Sequence, residues 1–219
     1  MTSYSIFLSV VYVVSNQSHW LESIIHRATE TLSSLVTDYE LIIVVNGSDD
    51  KSINLLKNLT GQSGYPNLQV YVLTNEVDVD TASWMGLENA LGDFVAVIDP
   101  LLDDIGFLPE MIDKAVVGTD VVFANNHQKP RQSLAYRAAY AAFNFLYKSF
   151  NGIHLANEAP QYRLLSKRLI NFILQHHQPT VYYRHLMGTA GFTRVILDYS
   201  SKPLASNTKK LQESIDRGM

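Results

Sequence analysis

Ser5 to Val14 reads S-I-F-L-S-V-V-Y-V-V, an apolar run without a single charge. β-Branched and aromatic residues in such an unbroken run suit a strand buried on both faces of a parallel sheet, where the usual in-out alternation is lost. Glu40–Val45 (E-L-I-I-V-V), Leu68–Leu73 (L-Q-V-Y-V-L) and Phe94–Ile98 (F-V-A-V-I) have the same character. Between them the period changes. Ser18 to Leu35 places Leu21, Ile24, Ile25, Ala28, Leu32 and Leu35 at helical spacing, with Ser18 positioned to cap the start. Asp49–Leu59, Thr81–Leu91 and Gly106–Ala115 also read as helices, and Asp120–Phe123 starts a fifth strand. Arg131–Phe150 and Leu164–His176 read as further helices, and Gly191–Tyr199 ends in a strand pattern. Strands alternating with helices predict an α/β fold with a mostly parallel central sheet flanked by helices.

At 219 residues and 47% hydrophobic content, the chain has material for one large core. We expect a single domain over 1–202 and a polar C-terminal tail over 203–219. The absence of cysteine excludes disulfides, thiolate metal sites and a cysteine nucleophile. A net charge of −4 argues against a nucleic-acid partner. The first apolar run is shorter than the roughly 20 residues that span a bilayer and follows no basic run. A cytoplasmic protein is therefore expected, with any membrane contact peripheral, at the inner face.

Charge is segregated along the chain. Thr74 to Asp113 holds ten acids and no Lys or Arg, while Gln128 to Arg168 holds seven bases and one acid, Glu158. Two readings follow: the segments neutralise one another in the fold, or an acidic pocket lies beside a basic docking surface. Parallel sheets bind ligands beyond the carboxyl ends of their strands. That rule puts Asn16, Asn46, Gly47 and Asp99, each just past a buried run, on one rim.

The strand ends carry a resemblance. Glu40 to Ser52, E-L-I-I-V-V-N-G-S-D-D-K-S, resembles the E-I-I-V-V-D-D-G-S-x-D-x-S segment of family 2 inverting glycosyltransferases. Ser9 to Gln17 (S-V-V-Y-V-V-S-N-Q) is similar to their S-V-V-I-P-V-Y-N-E opening. Ala90 to Asp104 (A-L-G-D-F-V-A-V-I-D-P-L-L-D-D) resembles A-x-G-D-Y-V-x-x-x-D-x-D-L-Q-D. Arg131–Arg137 (R-Q-S-L-A-Y-R) and Ala159–Arg168 (A-P-Q-Y-R-L-L-S-K-R) look like segments of the branch that loads sugars onto polyprenyl phosphate.

The resemblance implies a glycosyltransferase A fold of the nucleotide-diphospho-sugar-transferase type, a nucleotide-sugar donor, and Mg²⁺ or Mn²⁺ held by carboxylates against the diphosphate. It also implies a polyprenyl-phosphate or glycan acceptor in cell-envelope polysaccharide synthesis. Carried onto this chain, it assigns catalytic roles to Asp99 and Arg163, nucleotide binding to Asn16, Asn46, Gly47 and Ser48, and metal binding to Asp99 with Asp103 and Asp104. Asp103 and Asp104 have a second reading as acids at a helix start, where the macrodipole favours them. Arg163 has one too, as the partner of an acid in the 74–113 segment.

The chain departs from the family pattern where chemistry is expected. D-x-D becomes Asp99-Pro100-Leu101, D-D becomes Val45-Asn46, and G-D-F becomes Pro160-Gln161-Tyr162. The Gly/Lys-rich loop after the third strand becomes Val77-Asp78-Val79-Asp80. Carboxylate is lost at the rim and positive charge is lost at the loop. An ionised phosphate acceptor needs no general base, so it tolerates the amide of Gln161. The alternative is a catalytically inactive member that binds a partner glycosyltransferase.

Tyr136, Tyr140, Phe143, Tyr147 and Phe150 form one helical stripe within 131–150. It reads as packing, as a homodimer seam, or as a face lying on a membrane surface. The seven histidines show no ligand spacing, and Trp20 and Trp84 read as core. No G-x-S-x-G, G-K-[ST] or G-x-G-x-x-G motif is present.

Overall fold

The computed structural model describes residues 3–48, 51–61, 64–128, 160–177, 179–180, 183 and 191–204. The expected helix over 131–150, its aromatic stripe and nearly all of the 203–219 tail lie outside the described residues. So does the start expected for a helix at Asp49.

The described elements, in chain order, begin with β1 (Tyr4–Val14), α1 (Ser18–Leu35), β2 (Val36–Asn46), α2 (Ser52–Leu59) and β3 (Leu68–Leu73). Then come α3 (Val79–Asn89), β4 (Phe94–Ile98), a 3₁₀ turn (Ile105–Phe107), α4 (Leu108–Val116) and β5 (Val121–Asn126). β6 (Arg163–Ser166), α5 (Lys167–Leu174) and β7 (Arg194–Tyr199) complete them. The strands form a seven-stranded sheet in the order β3-β2-β1-β4-β6-β5-β7. All described pairings are parallel except the two made by β6.

Both faces of the central strands are covered. Alternate residues of β1 and β2 face α1, α2 and α4 on one side, and the others face α3 and α5 on the opposite side. Burial on both faces is why the strand sequences lack alternation. At Gly86 a β-carbon would meet Val11 Cγ1 at 2.4 Å, so α3 lies against β1 more closely than any larger residue permits.

Three local expectations are corrected. Leu164–His176 was expected as one helix, but Arg163–Ser166 is a strand. Leu164 packs on the α1 side and Leu165 on the α3 side, and Ser166 then caps α5 by accepting from the Leu169 N–H at 3.3 Å. Gln17, not Ser18, occupies the N-cap of α1, and its side chain makes no capping bond. Trp84 is core, whereas Trp20 is 37% exposed.

At the amino end of the sheet, Asp120 joins three elements. Its carboxylate accepts from Arg168 Nη2 at 2.6 and 2.7 Å, from Ser166 Oγ at 3.1 Å, and from the Thr193 hydroxyl and N–H at 2.8 and 3.1 Å. Burial pushes this carboxyl up, but the Arg168, Thr193 and Ser166 hydrogen bonds outweigh it, and the net shift is downward.

Candidate functional site

The carboxyl ends of β2, β1 and β4 are neighbours, because Val14 pairs with Val45 and Tyr12 with Ile98. The turns leaving them therefore share one rim. Asn16 adopts φ 51°, a left-handed conformation that asparagine tolerates better than most residues. Its N–H donates to Ser48 Oγ at 3.1 Å, tying the β1 and β2 exits together.

Asn46 ends β2, and its side chain is buried with both ends of its amide bonded. Nδ2 donates to the Val77 carbonyl at 2.8 Å, and Oδ1 accepts from the Val77 N–H at 2.9 Å. Its amide holds the β3–α3 connection in place. Gly47 completes that contact at φ 62°, where a β-carbon would lie 2.6 Å from Glu76 Cβ. Of the four residues assigned to nucleotide, Asn16, Gly47 and Ser48 thus form the accessible edge, with Asn46 beneath them shaping the loop.

The acids at the β4 exit divide into two groups. Asp99 Oδ1 accepts from the Leu101 and Leu102 N–H groups at 3.0 and 3.2 Å, which leaves Oδ2 as its remaining oxygen at the rim. Leu101, where the resemblance leads one to expect a second carboxylate, is packed in the core. Asp103 is buried and accepts from the Tyr199 hydroxyl at 3.1 Å. Burial and the neighbouring Asp103 push that phenol above its ordinary range, so it remains a donor.

Asp104 caps the 3₁₀ turn through Gly106 N–H, pairs with Arg27 at 2.6 Å and accepts from Ser201 Oγ at 2.8 Å. The helix-start reading describes its carboxylate. Among the described residues, no three His, Asp or Glu side chains gather as a metal-holding group. Among the described residues at this rim, Asp99 Oδ2 is an oxygen that fits a cation.

Arg163 lies below the same rim, paired with Val97 on β4 and Phe123 on β5. It is 2% exposed. Nη2 pairs with Asp80 at 3.1 Å, Nε donates to the Gln161 carbonyl at 3.2 Å, and the guanidinium lies 4.7 Å from the centroid of the Tyr183 ring. The acidic loop after β3 thus acquires a structural account. Asp78 caps α3, accepting from the Asp80 and Thr81 N–H groups at 3.1 Å, and Asp80 answers the buried arginine. This pair joins the acidic segment to the basic one, as the neutralisation reading requires. Sequence segregation was the signal for Asp80, whereas nothing in the sequence marked Tyr183.

The model of the family described as Glycosyl transferase family 2 matches residues 9–174. Curated relatives include the glycosyltransferase YkcC of Bacillus subtilis, 24% identical over 92% of this chain and 62% of that protein. Undecaprenyl-phosphate 4-deoxy-4-formamido-L-arabinose transferase of Pseudomonas fluorescens is 30% identical over 59% of this chain and 38% of that protein. The chain spans at most 62% of the length of these relatives. Among solved structures, glucosyl-3-phosphoglycerate synthase from Mycobacterium tuberculosis, in complex with Mn²⁺, uridine diphosphate and phosphoglyceric acid, has a similar fold. The TM-score is 0.62 at 16% identity, covering 97% of this chain and 74% of that one. Mannosyl-3-phosphoglycerate synthase from Rubrobacter xylanophilus gives 0.61 at 15% identity, covering 97% and 70%.

Proposed function

Because this chain belongs to glycosyl transferase family 2 and has the glycosyltransferase A fold, we propose that it transfers a sugar from a nucleotide diphosphate donor to a polyprenyl-phosphate or glycan acceptor in cell-envelope polysaccharide synthesis. The observation that carries this reading is the joined rim: Asn16 bonded to Ser48, Gly47 locked beside them, and one Asp99 oxygen left over at the adjacent strand exit. The undecaprenyl-phosphate transferases among the relatives support the lipid-phosphate acceptor.

In this reading the nucleotide lies along Asn16, Gly47 and Ser48. Asp99 Oδ2 would hold Mg²⁺ or Mn²⁺, with the diphosphate supplying further oxygens, as suits a cation bound through one carboxylate and substrate phosphates. The cation's contribution is to neutralise charge on the departing diphosphate. An acceptor phosphate oxygen attacks the anomeric carbon as the nucleotide leaves. That oxygen is already ionised, so Gln161 can stand where the family carries an acid. The chain would work from the cytoplasm at the inner face of the membrane, with 131–150 as its contact. No helix among the described residues is long and apolar enough to cross a membrane. The catalytic unit is assigned to 1–202.

A second reading has its own support. Asp78, Asp80, Asp103 and Asp104 all hold internal hydrogen bonds or ion pairs. A rim so poor in available carboxylate also suits an inactive member that docks on a partner glycosyltransferase. Incubating the purified protein with undecaprenyl phosphate and a panel of UDP- and GDP-sugars separates the two. Glycolipid product supports transfer, and no product with any donor counts against it.

A further inference from the structure

Two buried donors near the rim are answered by nothing among the described residues. Arg163 Nη1 and Tyr183 Oη are shielded from water and find no hydrogen-bond partner among the described residues. They belong to one cluster. The Arg163 guanidinium sits over the Tyr183 ring, and that ring packs against Trp84 with centroids 5.6 Å apart. A buried donor left unmade costs stability, so two side by side call for a cause. Packing does not supply one, since phenylalanine fills the same space without the hydroxyl.

Charge identifies the missing partner. Arg163 is already matched by Asp80, with side chains 3% and 10% exposed. A phosphate pressed against this neutral pair would bring uncompensated negative charge into a dry site. What is unmet is N–H and O–H donation, which an uncharged oxygen satisfies. Burial raises the Tyr183 phenol above its ordinary pKa, against a smaller opposing pull from Arg163, so it keeps its proton at physiological pH.

Position narrows the choice of ligand. Arg163 pairs with Val97, two residues before Asp99, and the group attached to a diphosphate at Asp99 is the sugar. We infer that Arg163 and Tyr183 form the subsite that selects the sugar half of the donor, by donating to an uncharged hydroxyl or N-acyl carbonyl oxygen. This rests on the nucleotide-sugar reading and gives Arg163 a substrate-selecting role in place of the catalytic one that the resemblance implies.

Calorimetric titration of the full chain with UDP, GDP, UDP-glucose, UDP-N-acetylglucosamine, GDP-mannose and UDP-glucuronate, with Mn²⁺ present, tests it. A neutral sugar should add affinity over the bare diphosphate. Tyr183→Phe should weaken that donor about tenfold while leaving UDP or GDP binding unchanged. The unliganded variant should melt no lower than the parent, because an unanswered hydroxyl has gone. Arg163→Lys, which keeps the charge facing Asp80 but loses the planar fork, should show the same selective loss. Equal donor binding by Tyr183→Phe, a lower melting temperature, or preference for the glucuronate overturns the subsite. If the parent binds UDP or GDP with no gain from any sugar, the subsite fails while the nucleotide reading stands. If no nucleotide binds, both fail.

Discussion

At Gly47 the backbone occupies φ 62°, with Glu76 in the space a side chain would take. An alanine there meets both obstacles: about 1–2 kcal/mol for the left-handed conformation, and the displacement of a neighbouring backbone. Gly47→Ala should lower urea-measured stability by about 2 kcal/mol or more. A loss under about 0.5 kcal/mol would mean the 46–48 turn and Glu76 part freely. Asp99 is the opposite case. An amide oxygen can still accept from Leu101 and Leu102, so Asp99→Asn should keep the fold and its melting temperature within about 2 °C. What it should lose is the Mn²⁺-dependent part of nucleotide binding. A variant that still responds to Mn²⁺ would remove Asp99 from the cation site.

Among the elements, β5, α5 and β7 meet at Asp120. Its carboxyl is held below the ordinary range, so its contribution is fully present above the unfolded value of about 3.9 and is lost as pH falls through the lower folded value. Asp120→Asn should therefore destabilise the protein at neutral pH and flatten the acid limb of stability against pH, measured by urea unfolding at pH 7, 4 and 3. An unchanged acid slope would contradict this. Strands β1, β2 and β4 were legible because burial on both faces leaves uninterrupted apolar runs, and the edge strand β3 was legible from its β-branched and aromatic residues although Val72 is exposed. β6 was not, because its R-L-L-S is only four residues long and merges with the helical spacing of Leu169, Ile170 and Ile173. At the site, the strand exits were legible from the turns that follow buried runs. Asp103 and Asp104 were ambiguous, since acids that cap or pair internally look the same in sequence as acids that bind a cation. Tyr183 carried no signal because its role depends on a contact 20 residues distant in the chain.

For the whole molecule, the glycosyltransferase A scaffold is present and several acids near its rim are held by internal contacts. Leu101 is in the core, Asp104 is committed to Arg27 and Ser201, and Asp80 is committed to Arg163. The segregated charges of the sequence therefore meet within the fold at Asp80 and Arg163, and Asn16, Ser48 and Asp99 at the rim between β2 and β4 are the proposed ligand contacts. The central claim is that this rim takes a nucleotide diphosphate. Thermal unfolding with and without UDP, GDP and their sugars, in the presence of Mn²⁺, tests it most directly. A nucleotide at 100 times its dissociation constant should stabilise the protein by about 2.7 kcal/mol, with the gain reduced in Asp99→Asn. No displacement of the unfolding curve by any nucleotide at millimolar concentration would contradict the account.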